Sequence, residues 1–301
     1  MSRIYEALER AENQRASDVS PDAQAVEPPL FPFAEEQASA KTTGLFEKIA
    51  PHPWKPDVVA LPTLADSGGP IEQFRSLRSS IYQVRDQITL KTIVVSSGMP
   101  AEGKTFVAAN LAISLARNNE RPVLLIDADL RRPSIHQLLG TTNTPGLTQY
   151  LAREEAPTDV LQRATCSDIT NEHGAHAIST IAFIPAGKSC DTPPELVGNH
   201  RLDELIAALS PHFAWIIIDS PPALMVTDAV DLARVADGVL LVARGDATTF
   251  DVAQRAKAAF NNARILGFVL NAVKHAPRTG SYYYRREESK GTSNPNHATR
   301  N

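Results

Sequence analysis

From residue 69 onward, short apolar runs alternate with longer stretches in which apolar residues recur every three or four positions. The runs, such as VLLI and WIII, predict strands that are buried on both faces. The predicted strands are 92–96, 123–126, 180–185, 215–218, 239–243 and 265–270. The predicted helices are 70–86, 104–117, 134–139, 158–164, 200–209, 227–234 and 250–262. This alternation predicts an α/β fold with a mostly parallel sheet and helices on both faces.

The first residues of the chain have a helical pattern of their own. Ile4, Leu8 and Ala11 recur at helical spacing, which predicts a short leader helix within residues 1–15. A helix of this length is marginal in isolation and gains most of its stability when it docks against something. Two interpretations therefore stay open, a solvated leader helix and a docking peptide.

Proline and small polar residues mark the two segments that flank the predicted domain. Nine of the 22 prolines lie within residues 1–70, and residues 16–68 have little periodicity, which predicts a disordered Pro-rich linker with little fold of its own. Residues 275–301 are polar and rich in Gly, Ser and Asn, which predicts a disordered, flexible tail. The domain itself is then predicted to span residues 69–274.

Composition excludes several classes of protein. The formal net charge of the 301 residues is −4, so a globally basic nucleic-acid binder is disfavoured and we expect no nucleic-acid partner. Two cysteines, Cys166 and Cys190, exclude a disulfide scaffold and a cysteine-based zinc site. The charged N-terminus lacks a signal-peptide core, and the apolar runs fall short of the ~18 residues typical of a spanning helix. We therefore expect a cytoplasmic protein that reaches a membrane only through a partner or its amphipathic N-terminus.

The segment GMPAEGKT, at residues 98–105, matches the pattern GxxxxGK[ST] at every fixed position. It follows a predicted strand and begins a predicted helix, the context that a phosphate-binding loop requires. Its glycines let backbone N–H groups point at phosphates, and the helix N-terminus adds its positive dipole end. Lys104 can neutralise the β- and γ-phosphates, and the Thr105 hydroxyl can ligate Mg²⁺. The predicted loop contacts to a nucleotide are Gly98, Met99, Pro100, Ala101, Glu102, Gly103, Lys104, Thr105 and Phe106.

Carboxylates end two other predicted strands. VLLIDADLRR places Asp127 and Asp129 after one strand, and WIIIDSPP places Asp219 after another. The carboxyl ends of parallel strands meet at the edge where the phosphate-binding loop lies. One carboxylate there can hold Mg²⁺, and another can accept a proton from an attacking hydroxyl. Each aspartate has an alternative interpretation as a simple cap of the segment that follows it.

In this order, the motifs resemble those of the bacterial tyrosine kinases (BY-kinases), the P-loop autokinases of polysaccharide export. The resemblance covers roughly residues 69–284. GMPAEGKT is similar to their Walker A motif, LLIDADLRRP to their Walker A′ motif, and IIIDSPP, followed by VTDA, to their Walker B motif. MSRIYEAL resembles the leader of members encoded apart from their membrane partner. The loop differs from the family at Ala101, where the family usually carries Gly, and the tyrosine cluster near the C-terminus is short.

The resemblance implies a P-loop NTPase fold and an ATP-dependent protein-tyrosine kinase with Mg²⁺. Lys104 would bind the β- and γ-phosphates, and Thr105, Asp127 and Asp219 would surround the metal. Asp129, alone or with Asp127, would orient or deprotonate an incoming tyrosine. The residues implied to be catalytic are therefore Lys104, Asp127 and Asp129.

The resemblance also implies how the chain would associate. The phosphate acceptors would be the tyrosines of the tail, modified in trans within a ring: Tyr282, Tyr283 and Tyr284. The ring contacts would come from the EQFRSLR helix: Glu72, Arg75 and Arg78. These three side chains share one helix face, so a solvated, self-paired face is the alternative. The YYYRR segment has an alternative interpretation as an aromatic and cationic surface patch.

Further contacts and partners follow from the same resemblance. Asn271, which ends a predicted strand, would contact adenine, although Asn is also a common turn residue at such a position. The implied partner is the cytosolic segment of a membrane polysaccharide co-polymerase, which would act as activator and recruit the chain to the inner face of the membrane. The implied role is regulation of exopolysaccharide or capsule polymerisation and export.

Two other functions remain open on the sequence alone. One is an ATPase of the partitioning or positioning type, which shares this fold. Those ATPases carry a second lysine five positions before the catalytic one, where this chain has Met99. The other is a non-catalytic nucleotide-sensing scaffold of the export machinery, which would carry the same site residues.

Overall fold

The computed structural model describes residues 43–118, 121–165, 171–188, 197–198 and 200–273. These residues form an eight-stranded sheet with helices packed on both faces, so the predicted α/β fold is confirmed. The predicted leader helix, the first part of the predicted linker and the predicted tail lie outside the described residues.

Within the described residues, every strand belongs to this sheet, and all but one pair of neighbouring strands run parallel. They are β1 (Pro51–Pro53), β2 (Thr92–Ser97), β3 (Val123–Asp127), β4 (Gln162–Thr165), β5 (Ile181–Ile184), β6 (Trp215–Asp219), β7 (Gly238–Arg244) and β8 (Ile265–Asn271). Their spatial order is β1-β4-β5-β3-β6-β2-β7-β8. After β2 the chain adds β3 and β5 on one side and later β7 and β8 on the other. The carboxyl end of β2 therefore lies where the winding reverses, the usual ligand position in such sheets.

The helices cover the sheet from both sides. They are α1 (Thr43–Lys48), α2 (Gly69–Arg85), α3 (Lys104–Ala116), α4 (Ile135–Leu139), α5 (Leu147–Leu151), α6 (Glu172–Ser179), α7 (Arg201–Leu209), α8 (Asp228–Leu232) and α9 (Phe250–Ala259). Helices α2, α3 and α6 pack in one hydrophobic cluster, and α5, α7 and α8 pack in the other. Within the described part of the chain, no helix is both long enough and apolar enough to cross a membrane.

Burial on both faces explains why the sequences of the central strands are apolar. In β3, Val123 and Leu125 enter the cluster on one face, while Leu124 and Ile126 enter the cluster on the other. All residues of β2, β3 and β6 are buried, because successive side chains of a strand point to opposite faces and both faces are covered. Continuous apolar runs at these positions are therefore required by the architecture.

The prediction of a linker with little fold of its own is wrong for residues 43–68. This segment contains α1, β1 and a 3-10 turn at Pro62–Leu64. Its apolar side chains are buried in the cores, including Trp54, Leu61 and Leu64. Asn110 of α3, itself fully buried, accepts hydrogen bonds from the Thr63 N–H and hydroxyl at 3.3 and 2.7 Å. Proline is compatible with this packing because the segment runs at the edge of the sheet and in turns.

The helix predicted at 158–164 is also absent. Residues 162–165 form β4, which pairs antiparallel with β5 and parallel with β1. Two hydrogen bonds from the Gln162 amide to Thr142, both 3.1 Å, hold the start of this strand. The pairing partners come from distant parts of the chain, so local periodicity does not show them. Helices α5 and α6 were not predicted from the sequence.

Candidate active site

The carboxyl ends of β2, β3 and β6 meet at one edge because these strands are neighbours in the order β3-β6-β2. Asp127 and Asp219, the last residues of β3 and β6, are direct partners in the parallel register. Asp219 is also paired with Val95 of β2, two residues before that strand ends. The sequence prediction that these strand ends converge is therefore matched by the geometry.

The phosphate-binding loop joins β2 to α3 and has a left-handed backbone at two positions. Gly103 has φ 92° and lies so close to Asn271 that a Cβ would fall 2.0 Å from its Nδ2. Ala101 has φ 63°, a region that glycine occupies with less strain. The hydrogen bond from Arg244 Nη1 to the Ala101 carbonyl, 3.0 Å, helps to hold this conformation. The loop therefore has a left-handed backbone at position 101 even though this chain carries alanine where the family usually carries glycine.

The loop places Lys104 and Thr105 at the start of α3, against the acidic strand ends. Lys104 Nζ lies 2.9 Å from Asp129 Oδ2 and 3.7 Å from Asp219 Oδ2. The Thr105 hydroxyl donates a hydrogen bond of 2.7 Å to the same Asp219 oxygen. Burial by itself lowers the pKa of the Lys104 ammonium, but the carboxylates of Asp219 and Asp129 outweigh it and raise the pKa. Lys104 is therefore a fixed positive charge.

Asp127 is completely buried and receives backbone hydrogen bonds. Its Oδ2 accepts from the N–H groups of Ser134 and Ile135 at 3.0 and 3.1 Å, and its Oδ1 accepts from Asp129 N at 3.2 Å. Burial and the neighbouring Asp219 raise the pKa of Asp127 to about 8, although the hydrogen bonds favour the carboxylate. The turn that follows β3 is thus organised around this side chain.

Asp219 has an oxygen without a partner at the centre of the site. Its Oδ1 is buried and accepts no hydrogen bond, while Oδ2 faces Lys104 and Thr105. Burial raises the pKa of Asp219 to about 6, against the opposing effect of Lys104. A buried carboxylate oxygen with no donor is costly unless a cation approaches it. This atom gives a direct reason to expect a positively charged ligand here.

The oxygen atoms of these side chains fit a Mg²⁺ ion that binds together with a nucleotide. The described residues contain no group of three His, Cys, Asp or Glu side chains arranged to hold a metal by themselves. Magnesium commonly uses one or two carboxylates together with substrate phosphates and water. Asp219, Asp127 and the Thr105 hydroxyl supply oxygens of that kind. The predicted metal ligands are thus compatible with the ion but do not form a complete cage.

Two other predicted contact residues have side chains that already contact other parts of the protein. The Phe106 ring lies 5.8 Å from the Phe74 ring, in the core between α2 and α3, so only its backbone faces the loop. Asn271 ends β8 beside the loop and donates from Nδ2 to the Glu102 carbonyl at 3.0 Å. Asn271 therefore borders the site, and its contact with adenine stays a prediction.

The three predicted ring residues do not form one exposed array. Arg75 Nη1 pairs with Glu72 Oε1 at 2.5 Å within α2. Arg78 instead turns inward, where Nη1 donates to the Ser114 carbonyl at 2.6 Å. Burial lowers the pKa of Arg78. Their role between subunits stays a prediction, and the predicted acceptors Tyr282–Tyr284 lie outside the described residues.

Sequence reasoning assigned no role to several residues that support the site. Arg131 donates from Nε to Asp228 Oδ2 at 3.2 Å, which connects the turn after β3 to α8. Thr248, in the segment after β7, donates its hydroxyl to Glu102 of the phosphate-binding loop. The available signal was their position directly after parallel strands, at the edge where the site lies.

This fold and this arrangement of lysine, threonine and aspartates define a P-loop NTPase. The sequence profile of the family described as "ParA: NUBPL iron-transfer P-loop NTPase" matches residues 89–293. The tyrosine-protein kinase YwqD of Bacillus subtilis is 32% identical over 215 residues, which cover 71% of this chain and 85% of YwqD. Within the P-loop NTPases, the chain therefore belongs to the bacterial tyrosine kinase family.

Solved structures give the same family. The kinase domain of the Escherichia coli tyrosine kinase ETK is 30% identical with a TM-score of 0.63, covering 75% of this chain and 84% of that domain. The chimerical protein CapA2B2 is 27% identical with a TM-score of 0.62, covering 74% and 93% of the two chains.

The tyrosine-protein kinase Wzc of Salmonella typhimurium is 36% identical over 205 residues, 67% of this chain. That match spans only 27% of the length of Wzc.

Proposed function

We propose that this protein is an ATP-dependent protein-tyrosine autokinase that phosphorylates tyrosines of its own C-terminal segment. The observation that supports it most is the convergence of Lys104, Thr105, Asp129 and Asp219 within hydrogen-bonding or ion-pair distance of one another. A buried carboxylate oxygen with no donor lies at the centre of this group. Such a site needs a ligand that brings both a cation and phosphates.

The roles of the residues follow from their charges and positions. Lys104 would neutralise the β- and γ-phosphates, while the backbone from Gly98 to Thr105 would cradle them. Asp219, Asp127 and the Thr105 hydroxyl would hold Mg²⁺, which supplies charge neutralisation when bound. Transfer of a phosphoryl group depends mainly on positioning and on such neutralisation.

A tyrosine hydroxyl needs help to become a nucleophile. Its pKa is about 10, so at neutral pH a nearby carboxylate must orient it or accept its proton. Asp129 suits this role because 6% of its side chain is exposed, whereas Asp127 and Asp219 are completely buried, and because its carboxylate pairs with Lys104. Asp127 has no exposed surface that a tyrosine ring could contact, so we assign Asp129 the contact with the acceptor.

The acceptors would be Tyr282, Tyr283 and Tyr284. The last described strand ends at Asn271, whose side chain touches the phosphate-binding loop, so the acceptor segment begins at the rim of the site. Ten residues lie between Asn271 and Tyr282, so the eleven steps from one Cα to the next correspond to a maximum reach of about 36 Å. A segment of this length can reach either the site of its own chain or the site of a neighbouring chain. We propose transfer in trans within a ring, where a neighbour's acceptor is held at high effective concentration.

The proposed setting is the polysaccharide export machinery. The resemblance to the family supports a role in regulating exopolysaccharide polymerisation and export. It also supports activation by the cytosolic segment of a membrane co-polymerase, which would recruit this cytoplasmic chain to the inner face of the membrane. Glu72 and Arg75 are exposed on α2 and are available to exchange their internal pair for pairs with a neighbouring subunit.

The decisive experiment combines Mg·ATP with mass spectrometry of the C-terminal segment, in the presence of the activator segment. We expect phosphate on Tyr282–Tyr284 of the unmodified protein and none on Lys104→Met. Mixing Lys104→Met with an active variant whose three tyrosines are replaced by Phe then tests transfer in trans. Phosphate on the Lys104→Met chain supports trans transfer, whereas its absence contradicts it.

The same assay separates the other functions. Hydrolysis of ATP with unmodified tyrosines would favour an ATPase of the partitioning type. Tight nucleotide binding without turnover, even with the activator segment, would favour a nucleotide-sensing scaffold. Met99, in place of a second lysine, argues against the ATPase, because that lysine is part of the site in those proteins.

A further inference from the structure

Glu102 is the acidic residue within the phosphate-binding loop, and its side chain is directed away from Lys104. Only 5% of the residue is exposed. One carboxylate oxygen accepts a 2.7 Å hydrogen bond from the Met99 N–H, across the loop. The other oxygen accepts from the hydroxyl of Thr248, which lies 146 residues further along the chain. Both oxygens are therefore engaged, one within the loop and one outside it.

The partner segment, after β7, is itself anchored. The Thr248 hydroxyl accepts a hydrogen bond of 2.8 Å from the Arg244 N–H while it donates to Glu102. The Arg244 side chain crosses to the loop and donates to the Ala101 carbonyl at 3.0 Å. Ala101 is the loop residue with a left-handed backbone, φ 63°. The segment after β7 thus supports the loop at its most strained point.

Two further contacts hold the loop on the same side. Asn271 at the end of β8 donates to the Glu102 carbonyl and lies against Gly103. A Cβ at Gly98 would fall 3.0 Å from Val252 and 3.2 Å from Ala256, both of α9. Gly98, Glu102 and Gly103 of the loop therefore contact the β7–β8–α9 side, and the Glu102 side chain is one of the links between the loop and that side.

We propose that Glu102 and Thr248 form a clamp that holds the phosphate-binding loop in its binding shape before the nucleotide arrives. This inference rests on the proposed function, because it assigns positioning residues to the same nucleotide site. Glu102 acts through the loop backbone: its carboxylate engages the Met99 N–H and fixes the turn that directs the remaining N–H groups inward. Thr248 acts through Glu102 and does not contact the phosphates.

The clamp has a thermodynamic consequence. A loop that is already in its binding shape loses less conformational entropy when phosphates bind, so affinity rises without new contacts. Loss of the Glu102 carboxylate would free the Met99 N–H and remove the link to the segment after β7. The left-handed turn at Ala101 would then be held by Arg244 alone.

The test measures dissociation constants of ATP and ADP by titration calorimetry, with melting temperature as a separate readout. We expect Thr248→Val to weaken both nucleotides about tenfold, since a hydrogen bond to a charged group is worth roughly that factor. Thr248→Ser, which keeps the hydroxyl, should restore binding. Glu102→Gln keeps an acceptor for Met99 and a hydrogen bond to Thr248, and should therefore weaken binding less than Glu102→Ala does.

Thr141→Val is the matched control. The Thr141 hydroxyl also donates to a side chain, Gln162 Oε1 at 2.8 Å, but beside β4, four strands from β2. We expect this variant to lower the melting temperature and leave nucleotide affinity unchanged. In the double variant Glu102→Ala with Thr248→Val, the two effects should not add, because both break the same clamp.

Each result supports or overturns the clamp. Unchanged nucleotide affinity in a folded Thr248→Val variant overturns it, as does additive weakening in the double variant. Failure of Thr248→Ser to restore binding also overturns it. If the unmodified protein binds neither nucleotide, the proposed function itself fails and the clamp with it. Normal binding by the unmodified protein and by Thr248→Val together would leave the function intact and reject only the clamp.

Discussion

The nucleotide site and the charged face of α2 both carry acidic and basic residues, but in opposite surroundings. At the site, the side chains of Lys104 and Asp219 are 11% and 0% exposed. On α2, Arg75 and Glu72 are 43% and 64% exposed. Charges taken out of water need partners or ligands, whereas charges in water interact weakly. The buried charges of the site are therefore arranged to bind a ligand, whereas the exposed charges of α2 can exchange their partners.

We expect the largest effect on the rate of phosphoryl transfer when the buried positive charge that would contact the phosphates is removed. Replacing Lys104 by Met removes the positive charge that Asp129 and Asp219 surround. We expect phosphoryl transfer to fall by about 10²–10³-fold, because a charge directed at the transferred group is lost. The measurement is the initial rate of tyrosine phosphorylation with Mg·ATP. A variant that retains more than a third of the activity would contradict the assignment, and Lys257→Met, on α9, serves as a control.

The second prediction compares two arginines of α2. Arg78→Ala loses the hydrogen bond to the Ser114 carbonyl and should lower the free energy of unfolding by about 1–2 kcal/mol. Arg75→Ala, which loses only an exposed pair, should change it by less than about 0.5 kcal/mol. Urea unfolding of both variants gives the comparison. Equal effects would show that the inward turn of Arg78 contributes nothing to stability.

The third prediction concerns pH in metal-free solution. The pKa of Asp127 rises from 3.8 to about 8 on folding, so between these values the folded state binds more protons than the unfolded state. Stability should therefore fall as pH rises from about 4 to about 8. Asp127→Asn removes this contribution and should flatten the decline, by a few degrees in melting temperature between pH 5 and pH 8.

The readout for Asp127 is the slope of melting temperature against pH in EDTA, not its absolute value. Asparagine also alters the hydrogen bonds from Ser134 and Ile135, which shifts the whole curve but not its slope. Asp219 remains in both proteins, so a part of the decline, up to about pH 6, persists in the variant. Parallel curves for the two proteins would refute a raised pKa at Asp127.

The smallest effect is expected for Glu72→Ala. Its pair with Arg75 is exposed and lies within one helix, so the monomer should lose no more than about 0.5 kcal/mol. If α2 forms ring contacts, the same variant should reduce association in sedimentation experiments. A large loss of monomer stability, with association unchanged, would place the role of Glu72 inside the subunit.

The sequence was sufficient to predict most of the central sheet and the convergence of the phosphate-binding loop with the acidic strand ends. The six strands predicted from apolar runs are all present. Five of them are almost wholly buried, which requires a continuous apolar sequence, whereas β8 at the edge of the sheet is only partly buried. Lys104, Thr105 and the aspartates could be found because each lies in a short motif at a strand end. The ring contacts of α2, the acceptor role of the tail tyrosines and the adenine contact of Asn271 stay predictions.

Sequence reasoning failed where contacts join distant parts of the chain. Residues 43–68 lack periodicity, yet Trp54 and Leu64 are buried because helices and strands far along the chain cover them. β4 is a strand because β1 and β5 pair with it, not because of its own composition. A short window of sequence contains no information about hydrogen bonds between residues that lie this far apart in the chain.

By itself, the sequence determined the phosphate-binding loop, the acidic strand ends and the parallel α/β architecture, because each depends on residues close together in the chain. Only the tertiary structure decided which charges are buried, that Arg78 turns inward while Arg75 stays in water, and that Thr248 meets Glu102. The physical reason is that burial and hydrogen-bond partners are properties of the packed chain, and a pattern of residue types contains neither.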